Sequence, residues 1–130
     1  MKRYFSILAV LSLLAFAAPV IAHEGMKMAA SAAKPATIKG ELVDMGCYLG
    51  HAAHGEKHIS CATKCISNGM PMGLLTSDGT VYLLTLNHDN ADPYNSLKRM
   101  AGITGGVTGE VMSRGGVKSI DVSAVQLASK

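Results

Sequence analysis

Met72-Gly73-Leu74-Leu75-Thr76 and Thr80-Val81-Tyr82-Leu83-Leu84-Thr85 flank Ser77-Asp78-Gly79, and two apolar runs around a compact Asp-Gly turn predict a β-hairpin. Upstream, Thr37-Ile38-Lys39-Gly40-Glu41-Leu42-Val43-Asp44-Met45 reads as a half-buried strand that Gly40 can bend. Downstream, Asp92 before Pro93 predicts a helix start. Tyr94, Leu97, Met100 and Ala101 then fall at helical spacing before Gly102 ends the segment. The last segment, Gly106 to Ser113, Arg114-Gly115-Gly116 and Val117 to Val122, alternates as a second hairpin. Between the first strand and the first hairpin, Gly46 to Glu56 reads as a loop. Lys57 to Asn68 then reads as a helix stopped by Gly69, with Ser60 as an alternative start.

The order is strand, loop-helix insertion, hairpin, helix, hairpin. It predicts a mainly β domain, a small five-stranded OB-like barrel with the insertion after strand 1 and a helix between strands 3 and 4. Closure would remove exposed strand edges, and a five-stranded sandwich is the rival. Ile38-Lys39-Gly40-Glu41-Leu42-Val43 and Val107-Thr108-Gly109-Glu110-Val111-Met112 are alike as two glycine-bent strands, too briefly to make a repeat.

The first residues carry Lys2 and Arg3, an apolar stretch Ile7 to Ala18 and the small-residue exit Val20-Ile21-Ala22, the three parts of a cleaved secretory signal peptide. The apolar core is shorter than the roughly 20 residues of a spanning helix. The expected organisation is a signal peptide at 1–22, an Ala-rich flexible tether at 23–36 and one domain at 37–127, periplasmic or secreted and free of the membrane after cleavage. Removing 1–22 from 130 residues leaves 108, with ten Lys and Arg against nine Asp and Glu, and the net charge falls from +3 to +1. That balance offers no basic footprint for nucleic acid. With no Trp and both Phe in the leader, the core must come from Val, Leu, Ile and Met, and a staple or a metal would help so small a core.

All three cysteines and three of the five histidines lie between Cys47 and Cys65. On a helix, His58, Cys61 and Cys65 at i, i+3 and i+7 share a stripe that Cys47, at a strand end, can face. Three thiolates and an imidazole make a Cys₃His set suited to Zn²⁺, or to Cu(I) where thioethers adjoin. His51 or His54 could replace His58. Met70 and Met72 are further candidate donors, as is His23, whose α-amine and imidazole would be offered together to Cu(II) if cleavage follows Ala22. A disulfide of Cys47 with Cys61 or Cys65, leaving one thiol over, is the alternative reading for an exported chain. Cys-x-x-Cys-His is absent, which excludes covalent haem. Asp44, Glu41 and Glu56 read as solvated carboxylates and His88 as a solvated loop residue. With no nucleophile elbow, phosphate loop or His-Glu-x-x-His, no enzyme is expected.

Cys61-Ala62-Thr63-Lys64-Cys65 resembles the Cys-x₃-Cys copper motif of Sco-type chaperones, without their alternating βαβ pattern. More broadly, Gly40-Glu41-Leu42-Val43-Asp44, Cys47, His58, Cys61-x₃-Cys65, Gly69, Pro71, Gly73-Leu74-Leu75, Gly79, Val81-Tyr82-Leu83 and the late Gly106-Val107-Thr108-Gly109 resemble a group of small exported bacterial domains of unassigned activity. Spanning roughly 37–125, that resemblance implies an OB-like barrel with the cysteine window as its working end. The expected function is therefore an exported domain holding Zn or Cu for structure, storage or delivery. The competing expectation is a disulfide-stapled interaction module for a partner protein or a glycan.

Overall fold

The computed structural model describes residues 34–127. Its elements are β1 (Ala36–Asp44), α1 (Met45–His51), a single 3₁₀ turn (Glu56–His58), α2 (Ile59–Ser67), β2 (Met72–Leu75), β3 (Val81–Leu86), α3 (Asp92–Leu97), β4 (Thr104–Arg114) and β5 (Val117–Leu127). The chain is mainly β, and both expected hairpins form.

The strands follow one another around the sheet as β1-β2-β3-β5-β4, and β4 pairs back onto β1, so the sheet closes in a ring. A two-layer sandwich is thereby excluded. Four contacts are antiparallel, while β3 and β5 run parallel, with Leu84 opposite Ile120. A parallel contact needs a long crossover. Here α3 and the β4 strand supply it. β1 divides its edge pairing, with 36–41 against β4 and 41–44 against β2, and Glu41 alone is opposite residues on both sides, Thr104 and Leu75.

Two glycines permit this closeness. A Cβ at Gly40 would lie 2.6 Å from the Leu75 carbonyl oxygen, and one at Gly109 would collide with the carbonyl of Asp121. Gly109 also marks a register shift between β4 and β5, the local bend expected of a bulge.

Inside the ring, Leu42, Leu74, Leu84, Val107, Ile120 and Val122 form the core with Met72, and Ala62 and Ile66 of α2 and Leu97 of α3 cap it. The core is aliphatic, as the composition requires. α2 shows the pattern clearly. Ala62 and Ile66 are buried, Ile59 sits half-buried on the same side, and the thiols of Cys61 and Cys65 occupy the flank.

Three local expectations are corrected. Met45–His51 is a helix rather than loop, because Asp44 caps it, its Oδ1 accepting from the N–H groups of Gly46 at 2.9 Å and Cys47 at 3.4 Å. That cap outweighs the low helix propensity of Gly46 and Gly50. The Lys57–Asn68 segment tightens to a 3₁₀ turn before α2 begins at Ile59, and Gly69 does end it, at φ +98°. α3 starts at Asp92 with Ala91 as its cap and stops at Leu97. Turns then carry the chain to Gly102, with Met100 N–H donating to the Leu97 carbonyl. No helix among the described residues is long and apolar enough to cross a membrane.

Candidate metal centre

The end of β1, the first turn of α1 and the flank of α2 meet at one corner of the ring. Because α1 starts directly at the strand end, Cys47 is carried to within reach of α2, where Cys61 and Cys65 are one turn apart. The three Sγ atoms lie within 4.8 Å of one another. All three are free thiols, Cys47 and Cys65 half-buried and Cys61 exposed. The loop after α2 is pinned to the site, with Met70 N–H donating to the Cys65 carbonyl at 3.0 Å and Met45 N–H to the Pro71 carbonyl at 2.9 Å.

A second group overlaps the first. Asp44, Cys47 and His58 also bring one ligand atom each within 4.8 Å of the others. His58 thus joins Cys47 from the side of Asp44 rather than extending the α2 stripe, since its position in the 3₁₀ turn rotates it away from the helical spacing. Its Nε2 is 4.0 Å from Asp44 Oδ2, too far for a hydrogen bond.

Asp44 is the residue that sequence reasoning missed. Expected in solvent, it is 0% exposed. Oδ1 is satisfied by the α1 cap, but Oδ2 and His58 Nε2 are both buried without a hydrogen-bond partner. Each such orphan costs about 1–3 kcal/mol, and no Lys or Arg among the described residues pairs with the carboxylate. One sequence signal was available: an Asp directly before a helix start and three residues ahead of Cys47.

The carboxylate shapes the thiols. Interaction with the nearby Asp44 carboxylate, then burial, push the Cys47 thiol up to about 12, and burial first of all raises Cys65. Without a cation these thiols hold their protons at neutral pH, and a metal ion binding here would displace them.

The remaining candidates lie elsewhere. His54, 51% exposed, places Nδ1 3.4 Å from Glu41 Oε2 and stands edge-on to Tyr48. His51 is exposed in the last turn of α1. Glu41 is half-buried rather than solvated, its other oxygen accepting from Gly55 N–H, whereas Glu56 and His88 are exposed as expected. Met72 is 1% exposed within the core. Met70 lies against Gly46, its sulfur 2.7 Å from where a Cβ there would stand, which keeps it beside the α1 turn. His23 and the leader fall outside the described residues. Comparison with known proteins finds no matching family model, curated protein or solved structure.

Proposed function

We propose that this chain is an exported metal-binding domain, an OB-type barrel whose Cys₃His-type cluster of Cys47, Cys61, Cys65 and His58 holds Zn or Cu. The observation that carries this reading is the convergence of three thiols, brought from two helices, within 4.8 Å. Thiolate-rich sets select Zn²⁺ and Cu(I). Exposed Cys61 beside half-buried Cys47 and Cys65 leaves the ion open to an incoming ligand on one side, which favours storage or delivery over a purely structural role. The leader-like start and the small exported domains that the sequence resembles support a periplasmic or secreted site of action, with the metal as principal partner.

The test is elemental analysis for Zn and Cu on protein purified after export, with a count of free thiols under denaturing conditions and Cys61→Ser as control. At least one equivalent of metal, lowered by the substitution, with three titratable thiols once stripped, is the expected result. One free thiol, no metal and no uptake of Cu(I) or Zn²⁺ after reduction would sink it.

That outcome would favour the second reading, a disulfide of Cys47 with Cys61 or Cys65 stapling an interaction module. A specific feature supports it as well. An open cleft of about 490 Å³ beside Glu41 is lined by Lys39, Tyr48, His54, Thr76, Ser77 and Thr104, a mixed aromatic and hydroxyl-bearing surface suited to a glycan or a protein loop.

A further inference from the structure

We infer that the corner holds two metal positions rather than one, a trithiolate position of Cys47, Cys61 and Cys65 and a mixed position of Asp44 Oδ2, Cys47 Sγ and His58 Nε2, with the Cys47 sulfur shared. The inference rests on the metal-binding reading and deepens it.

Three observations lead there. The two donor groups intersect only at Cys47. Asp44 Oδ2 and His58 Nε2 are buried, unpartnered and face each other across 4.0 Å. A hydrogen bond does not span that gap, but metal–oxygen and metal–nitrogen bonds of about 2.1 Å each do. An ion there satisfies both orphaned atoms at once. An ion bound by the thiols alone leaves both as they are.

Charge gives an independent argument. Loaded, the corner carries three thiolates and the carboxylate of Asp44, four negative charges with no Lys or Arg paired to that carboxylate among the described residues. An ion in the trithiolate position alone leaves the carboxylate of Asp44 uncompensated at a fully buried position, whereas an ion in the mixed position neutralises it. Uncompensated buried charge is strongly disfavoured. The positions also differ in softness. The oxygen, nitrogen and sulfur donors of the mixed position suit a borderline divalent ion such as Zn²⁺, while the trithiolate position also accepts Cu(I).

The experiment loads the purified full chain with excess Zn²⁺, desalts it and measures zinc per polypeptide. Two ions are expected in the wild type, falling to one in Asp44→Asn and in His58→Ala. Asparagine retains the oxygen that caps α1, so Asp44→Asn separates loss of the ligand from loss of the helix, and circular dichroism checks both variants. Co²⁺ titration of the wild type needs no variant. The first equivalent should raise the paramagnetic resonance signal, and the second should diminish it as the two ions couple through the shared sulfur. A wild type that binds a single ion, or a signal that doubles without coupling, overturns the shared two-ion centre. In the single-ion case the trithiolate reading stands if Cys61→Ser removes that ion. Binding of no ion overturns both.

Discussion

Asp44 does two jobs with one carboxylate: one oxygen starts α1 and so aims Cys47, and the other faces His58. Its burial could not be read from the sequence, because it depends on what packs over the end of β1, and the residues beside it arrive from the 53–58 segment, from Ala62 of α2 and from Gly102. The cysteines were legible for the opposite reason. Three thiols in so short a window limit the partners available to each, whatever the exact helix boundaries. Which histidine joins them was not legible, since the choice among His51, His54 and His58 turns on a chain reversal at Ala52, an alanine at φ +52° that no local preference announces. Gly109 is a residue-scale test of the closure. Gly109→Ala drives a Cβ into the carbonyl of Asp121, and such overpacking costs about 1–3 kcal/mol. A lowered urea midpoint with an unchanged slope is the expected outcome.

Among the elements, the hairpins were read correctly because each is set by its own turn chemistry. In the first, Asp78 accepts from the Thr76 hydroxyl and from Thr80 N–H, and these bonds hold its carboxyl below its ordinary value of 3.8. A depressed pKa in the folded state means a contribution present in full above the unfolded value and lost as pH falls through the folded one. Wild type should therefore exceed Asp78→Ala in stability at neutral pH, by a margin that closes on acidification below about pH 4. Urea midpoints measured across that range check it. The short α1 was missed because a seven-residue helix with two glycines falls below what propensity reveals, and only its cap sustains it. The parallel contact of β3 with β5 was equally hidden, since 36 positions separate Leu84 from Ile120 and neither strand carries a local mark of its distant neighbour.

At the scale of the molecule, a small aliphatic core is joined to a polar corner whose thiols, carboxylate and imidazole lie close enough to hold a cation. Ligand binding to the folded state alone adds about 2.7 kcal/mol when the free metal stands at a hundredfold its Kd. For a domain of this size that amounts to roughly 10–20 °C in melting temperature. Melting the chelated and the zinc-loaded protein side by side should show that gap, and Cys61→Ser should narrow it. Equal melting temperatures in the two states would count against the centre. Glu41 adds a final consequence. It is the point at which β1 passes from β4 to β2, and its carboxylate also holds Gly55 and lies against His54, in the segment between α1 and the 3₁₀ turn. The two seams of the first strand and the insertion that carries the thiols therefore share one anchor. Opening of the corner is thereby tied to the integrity of the sheet, and the proposed loading and unloading of an ion becomes a question put to the cooperativity of the entire fold.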